Sequence, residues 1–273
     1  MMSKPDVAKI QQSLSELAHS KLEKLEAFSS IASTNTYLLS QPAPAGGRYR
    51  VAIADHQTSG RGRHYRRWMS APGSGLCMSV AFTFDRTVEQ LAGLTLAIGT
   101  GVVSALQQLG FGEIALKWPN DIVALDSKLG GILTEVRPGK AVGTTVVTGV
   151  GLNVQLPEQV DFGAESDWSG NAVDLKSVRQ NTPEREKLAG TMIDHLFCTF
   201  CRFDELGLAG FTEDWQQHDW LRDKEITVDL PDKQVTGIAA GIDDDGALLI
   251  DSRSGRSRVI SGSIVMARAR PQP

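Results

Sequence analysis

Four arginines fall within the ten residues Ser59-Gly60-Arg61-Gly62-Arg63-His64-Tyr65-Arg66-Arg67-Trp68, and no Asp or Glu occurs between Asp55 and Asp85. Clustered guanidinium groups beside the N–H groups of a glycine-bearing backbone favour a phosphate or a carboxylate. Gly60 and Gly62 would let the chain approach such a ligand closely and let the segment move. The competing reading is a solvated basic surface loop. A second cluster is Leu116-Lys117-Trp118-Pro119-Asn120-Asp121-Ile122. Lys117 falls in an apolar strand, either snorkelling or held toward a charged ligand. Asn120 and Asp121 add polar groups at the strand edge, where Pro-Asn-Asp is also ordinary turn chemistry.

Two glycine-marked strands follow. Lys128-Leu129-Gly130-Gly131-Ile132-Leu133 interrupts a strand with a glycine pair, a sign of close backbone or ligand approach. Gly149-Val150-Gly151-Leu152-Asn153 has neither a third glycine nor a following helix, so it is no dinucleotide fingerprint. No Walker sequence is present, so a nucleotide would not be held by a P-loop. Gly-x-Ser-x-Gly and His-Glu-x-x-His are also absent, which counts against an α/β-hydrolase and a zinc protease. The five histidines show no metal-ligand spacing and read as structural or surface residues. Cys198 and Cys201 form a lone Cys-x-x-Cys on an apolar helical face with Leu188, Ile193, Leu196, Phe197 and Phe200, and are expected to be buried core thiols. Cys77 lies inside an apolar run.

The elements that must position these groups follow from period and punctuation. Residues 7–27 read as an amphipathic helix, with Ile10, Leu14, Leu17 and Leu22 near one stripe. Ser33-Thr34-Asn35 is an N-cap cluster for a short helix over 36–40. Strands are expected over 49–54, 76–84, 114–118, 122–125, 129–136 and 144–154, with a long apolar helix over 88–109. The segment 58–75 has neither period and is expected to be a functional loop. A loop with one short helix fills 155–182; helices follow over 183–205, capped by Thr182 with Pro183 in the first turn, and over 211–218. Five short strands over 225–230, 233–242, 246–251, 256–260 and 263–267 suggest a small barrel.

Composition narrows the classes. The 273 residues are 41% hydrophobic and 22% charged, enough to bury a sizeable core. A net charge of −4 argues against general affinity for nucleic acid or an anionic membrane. Eight acidic residues balance eight basic ones from Arg222 onward, so nothing marks that segment as a nucleic-acid module. No apolar run is expected to span a bilayer, no signal peptide is read at the N-terminus, and a cytoplasmic protein is the default.

In this order, Ser33-Thr34-Asn35, Gln57-Thr58-Ser59-Gly60-Arg61-Gly62-Arg63, Trp68, Lys117 to Asp121, Lys128 to Leu133 and Gly149 to Asn153 resemble the biotin protein ligases. The stretch Gly237 to Ile250 is similar to that family's C-terminal SH3-like barrel. The arginine loop departs from the common Gly-Arg-Gly-Arg-Arg-Gly-Arg, with Tyr65 where a glycine is usual. The resemblance implies an α+β fold: a catalytic domain over 27–220 with a mixed β-sheet flanked by helices, like class II aminoacyl-tRNA synthetases. An N-terminal helical extension over 1–26 and an SH3-like domain over 221–273 complete it. Repressor members carry a winged helix-turn-helix of roughly 60 residues; the 26 residues here would be too few for one, so DNA binding is not expected.

The resemblance further implies ATP-dependent activation of biotin as biotinyl-5′-AMP and transfer to a lysine of a biotin carboxyl carrier domain, such as that of acetyl-CoA carboxylase. Lys117 and Arg63 become the catalytic candidates. Ser33, Thr34, Asn35, Gln57, Arg61, Gly62, Arg63 and Lys117 become biotin-binding residues, and Arg66, Trp68, Asn120 and Asn153 nucleotide-binding residues. Mg2+ would arrive on the triphosphate, with no protein metal site. Some relatives dimerise through the central sheet, so a homodimer stands open. A lipoate or octanoate ligase of the same fold is the alternative enzyme; a non-catalytic biotin- or adenylate-binding protein is the alternative of another class.

Overall fold

The computed structural model describes residues 4–137, 143–157 and 172–269. Two short helices, α1 (Val7–Gln12) and α2 (Glu16–Lys21), open the chain, and strand β1 (Leu22–Ile31) follows at once. The single helix expected over 7–27 is therefore wrong. Ser15 ends it by capping α2: its hydroxyl accepts from the Ala18 N–H, and Ser15 also donates to Asp194 at 2.6 Å. Leu17, assigned to the apolar stripe, is exposed.

Helix α3 (Thr34–Ser40) is capped by Ser33, so the cap cluster itself enters the first turn. Strands β2 (Tyr49–Gln57) and β3 (Gly75–Phe84) precede α4 (Leu94–Gln108). The expected helix over 88–109 splits because Gly93, left-handed at φ 76°, separates α4 from a 3₁₀ turn, Glu89–Leu91. Then come β4 (Ala115–Lys117), β5 (Asp121–Ala124), β6 (Ser127–Val136) and β7 (Thr144–Asn153). Helix α5 (Leu175–Val178) is the short helix expected within 155–182, much of which lies outside the described residues. Helix α6 (Arg185–Leu206) starts beyond Thr182 and Pro183, with Glu184 at its cap position, so neither residue has the expected place. Helix α7 (Thr212–His218) leads to β8 (Glu225–Asp229), β9 (Gln234–Ile242), β10 (Leu248–Ser252), β11 (Gly255–Val259) and β12 (Ser263–Arg268).

The first seven strands form one mixed sheet in the order β1-β2-β3-β7-β6-β5-β4, parallel only between β1 and β2. Every residue of the central β3 is buried, which is why its sequence runs apolar without a polar alternation. Leu76, Met78, Val80 and Phe82 face the large core under α4 and α6. There Phe82 stacks on Phe200 at 5.3 Å and Tyr49 on Phe197 at 4.9 Å. Ala52, Ala81 and Val147 face the other way, against Leu38 of α3.

Residues 89–108 are, by length and composition, apolar enough to cross a membrane, contrary to the expectation that no run would be. Two-thirds of that window is buried inside the protein, so packing on α6 and the sheet accounts for its apolarity. Cys198 is exposed and Cys201 half-buried, so only Cys77 is a buried thiol. The Cys-x-x-Cys sits at the edge of the α6 stripe rather than under it.

The last five strands make an SH3-like antiparallel sheet in the order β11-β10-β9-β8-β12. No pairing closes β11 onto β12 among the described residues, so the expected barrel is an open sheet. Irregularities between Leu248 and Ile250 and between Ile264 and Met266 bend it. It docks on the end of the large sheet that carries the polar motifs. The Trp220 N–H donates to the Leu116 carbonyl at 2.9 Å and Trp118 Nε1 to the Gly246 carbonyl at 3.0 Å.

Candidate active site

The motifs converge on one cavity of about 160 Å³. Its polar end is built on the start of α3. Ser33 and Thr34 are buried because the cap of α3 sits on the sheet. Gln57, the last residue of β2, accepts at Oε1 from the Thr34 N–H at 2.8 Å and from Thr34 Oγ1 at 3.1 Å. The fully buried Ser79 hydroxyl lies 2.6 Å from Thr34 Oγ1 and 2.5 Å from Asn35 Oδ1. Asn35 Nδ2 in turn donates to the Leu133 carbonyl at 3.1 Å and to Glu135 Oε2 at 2.8 Å. Ser79 and Glu135 were not singled out from sequence; each looks like an ordinary strand residue until the sheet pairs.

The cationic side is the arginine segment. It is an ordered hairpin despite its lack of period. Arg61 pairs with Arg67, the Gly62 N–H donates to the Arg66 carbonyl at 2.7 Å, and the Trp68 N–H donates to the Gly60 carbonyl at 3.0 Å. A 3₁₀ turn, Arg63–Tyr65, forms its tip, with His64 left-handed at φ 53°. Arg61, Gly62, Arg63, Arg66, Arg67 and Trp68 all line the cavity. Arg63 reaches Asn120 Oδ1 at 3.5 Å and, in the loop between β11 and β12, Ser261 Oγ at 3.3 Å. Burial pulls its guanidinium below the ordinary value, with Asp121 opposing the shift.

The glycine strands form the wall under this hairpin. A Cβ on Gly151 would lie 2.5 Å from the Trp68 ring, and one on Gly149 would lie 2.4 Å from Asn35 Oδ1. Gly151 pairs with Gly131, whose added Cβ would be 3.7 Å from the same indole. The close approaches read from sequence are thus made by two of the protein's own side chains. Asn120 Nδ2 donates to the Ile132 carbonyl at 2.9 Å, and Asn153 Nδ2 to the Val173 carbonyl at 3.1 Å. Both asparagines line the cavity while holding its walls.

Lys117 and Lys128 are placed differently toward the cavity. Lys117 is 7% exposed and is not among the cavity-lining residues, whereas Lys128 is. The antiparallel β4–β5 pair sets Lys117 opposite Asp121, and Lys128 Nζ lies 2.6 Å from Asp121 Oδ1. Burial pushes the Lys117 ammonium down to about 8; Lys128 and Lys224 add to this and Asp121 opposes it. The unfolded chain holds that proton up to about pH 10.4. Between about 8 and 10.4 the unfolded state binds the extra proton, so this group's contribution to stability rises with pH across that window. Below about 8 both states are charged and the burial cost is fully present. Lys117→Met should therefore be freed of that burial cost at pH 7. It should also lose the rise in stability from pH 8 to 10.4 seen by urea unfolding. A variant with the parent's pH profile would refute the burial reading.

Among the described residues no three His, Cys, Asp or Glu side chains converge in a way that could hold a metal ion.

Comparisons with known proteins agree with this geometry. Residues 27–153 match the model of the biotin/lipoate A/B protein ligase family, and residues 223–266 that of the biotin protein ligase C-terminal domain. A biotin–[acetyl-CoA-carboxylase] ligase of Mycobacterium tuberculosis is 34% identical over 259 residues, 92% of either chain. The bifunctional ligase/repressor BirA of Escherichia coli is 31% identical over 221 residues, 81% of this chain and 67% of that one. The biotin protein ligase of Aquifex aeolicus, solved in complex with biotin and ATP, superposes with a TM-score of 0.75 at 24% identity, covering 92% of this chain and 99% of that one. With both family models matched in order and a full-length relative above 30% identity, the chain belongs to the biotin protein ligase branch of the biotin/lipoate ligase family.

Proposed function

We propose that this chain activates biotin with ATP and transfers it to a lysine of a biotin carboxyl carrier domain. It is a ligase. The observation that carries the reading is that one cavity joins a neutral donor–acceptor end, Ser33, Thr34 and Gln57, to a cationic end, Lys128 and the arginine hairpin. The ureido ring of biotin offers both N–H donors and a carbonyl acceptor, which the Ser33 hydroxyl and the Gln57 amide complement. An aliphatic lipoyl or octanoyl end would leave those groups unpaired, at about 1–3 kcal/mol for each buried one. This is what favours biotin over the alternative acids.

In the first half-reaction a biotin carboxylate oxygen bonds to the α-phosphorus of ATP. The bond from that phosphorus to the β-bridging oxygen breaks, and pyrophosphate leaves. Two anions must meet, so positive charge between them lowers the barrier. We assign that charge to Lys128 and Arg63, which line the cavity, and place Lys117 behind Asp121 as a positioning group. The backbone of Arg61 and Gly62 stands beside the carboxylate; Trp68, Arg66, Asn120 and Asn153 form the nucleotide side. In the second half-reaction the acceptor amine attacks the anhydride carbonyl, AMP leaves, and the amine gives up a proton.

Mg2+ keeps several waters and binds through substrate phosphates. Asp121, on the cavity wall, fits as a single carboxylate facing such an ion, which would neutralise the leaving pyrophosphate. The four arginines of the hairpin line the cavity, so we assign no DNA contact to them. A reaction that consumes ATP sits in the cytoplasm in this reading. An edge-to-edge homodimer would use β1, because β4, the other outer strand, already carries Asp219 and Trp220 along its edge.

Incubation with ATP, biotin and the carrier domain of acetyl-CoA carboxylase, read by avidin blot, tests the assignment. Labelling of one carrier lysine that needs both ATP and biotin is the expected result. Biotin-independent modification by lipoate or octanoate, or no transfer at all, would reject it.

A further inference from the structure

A continuous chain of side-chain contacts leads from the head-group end of the cavity to the arginine hairpin. It runs from Gln57 through Thr34, Ser79 and Asn35 to Glu135 and ends at Arg61. The last two links meet on one atom. Glu135 Oε2 accepts from Asn35 Nδ2 at 2.8 Å and from Arg61 Nη2 at 2.6 Å. The Asn35 end is 4% exposed and wedged against Gly149, so it is fixed by packing. The Arg61 side chain is 41% exposed and belongs to a hairpin whose other side-chain ties to the body include Arg63 to Asn120 and Ser261 and Trp68 against the glycine strands. A buried anchor on one side and an exposed, movable group on the other make the carboxylate a catch.

We propose that Glu135 is a positioning residue that holds the arginine hairpin over the cavity and ties its closure to the filling of the head-group end. It touches neither substrate nor the reacting atoms. A ligand bonded to Thr34 and Gln57 adds hydrogen bonds to the network that, through Ser79, already holds Asn35, and Asn35 presents Glu135 to Arg61. The ion pair alone, half in solvent, would be weak; its partner bond to a buried amide is what orients it. The coupling rests on the biotin reading of the cavity, while the catch itself does not.

Two measurements separate them. The first is tryptic cleavage after Arg63, Arg66 and Arg67, the sites kept in every variant, in the ligand-free protein. Glu135→Gln keeps the shape and one acceptor oxygen but loses the charge, and should speed cleavage in the hairpin roughly three- to tenfold, the weight of one charge-assisted bond, with other sites unchanged. Arg61→Gln cuts the same link from an exposed position where folding is not at stake. The double variant should be no faster than either single one, because both remove one interaction. Additive effects, or cleavage at the parent rate in both single variants, would overturn the catch.

The second measurement is release of labelled biotinyl-5′-AMP from the preformed complex. Glu135→Gln should release it about three- to tenfold faster and raise KM for biotin more than it lowers kcat for pyrophosphate release. Unchanged release from that variant would overturn the coupling. A parent protein that forms no adenylate would reject the ligase reading, and the cleavage cycle would still decide whether Glu135 is a catch.

Discussion

Lys128→Ala should lower biotin-dependent pyrophosphate release by about 10²–10³-fold, the usual cost of deleting one preorganised charge at a developing anion. The fold should survive, because Lys128 is partly exposed on the cavity wall and its removal leaves no cavity in the core. Lys117→Ala should cost less, under about tenfold, because Lys117 is buried opposite Asp121 and does not line the cavity. The two variants differ in how they fail. Loss of Lys128 should lower kcat with little change in biotin affinity, whereas loss of Lys117 should move stability and its pH profile. Pyrophosphate exchange with both variants, beside circular dichroism, decides between the lysines. Equal losses from both would restore Lys117 to the reacting centre, and near-parent release by Lys128→Ala would remove Lys128 from it.

Lys117 stands out in the sequence for a local reason. Lys117 sits in a distinctive Trp-Pro-Asn-Asp context, whereas Lys128, the second residue of β6, is marked only by the glycine pair that follows it. Which of them reaches the cavity depends on a register irregularity in the β5–β6 pair. Ile122 lies opposite Gly130 but Val123 opposite Lys128, so Leu129 is an extra residue that re-aims its neighbour. No period in one chain reports such a slip, because the irregularity exists only between two strands.

Other parts of the site were legible for a stated reason. Ser33-Thr34-Asn35 is a cap by chemistry, and a cap at a sheet edge faces a ligand. The glycine strands announced close approach, yet not what approaches; Trp68 and Asn35 come from distant segments. At the N-terminus an apolar spacing that fits a helix also fits a strand, and the alternating burial of Leu25 and Ala27 in β1 emerges only beside β2. Ser79 and Glu135 have no sequence signature at all. They matter because β3, β6 and α3 bring one hydroxyl, one carboxylate and one amide within hydrogen-bond range.

Arg63→Gly should turn retention of the adenylate into escape. Arg63 lines the cavity and reaches both Asn120, in the turn between β4 and β5, and Ser261, in the loop between β11 and β12, and its guanidinium is well buried for an arginine. Removing it opens the mouth to water and withdraws a charge from the phosphate side, while the hairpin bonds at Gly62–Arg66 and Gly60–Trp68 remain. Adenylate formation should fall moderately because Lys128 stays in place. Release should rise more steeply, by about 10²-fold, since closed sites protect reactive intermediates and a charge-assisted contact is lost with the lid. Freed biotinyl-5′-AMP would then acylate lysines of a bystander protein such as albumin in the same tube. The contrast with Glu135→Gln is diagnostic: that variant loosens the hairpin but leaves Arg63 charged and in reach of the phosphate. Its bystander labelling should be weaker than that of Arg63→Gly, while its hairpin cleavage by trypsin should be faster than in the parent. Avidin blots of bystander against carrier domain, over time, measure both. Clean carrier labelling by Arg63→Gly, with adenylate held as long as in the parent, would show that the arginine hairpin is no lid and that retention resides in the walls beneath it.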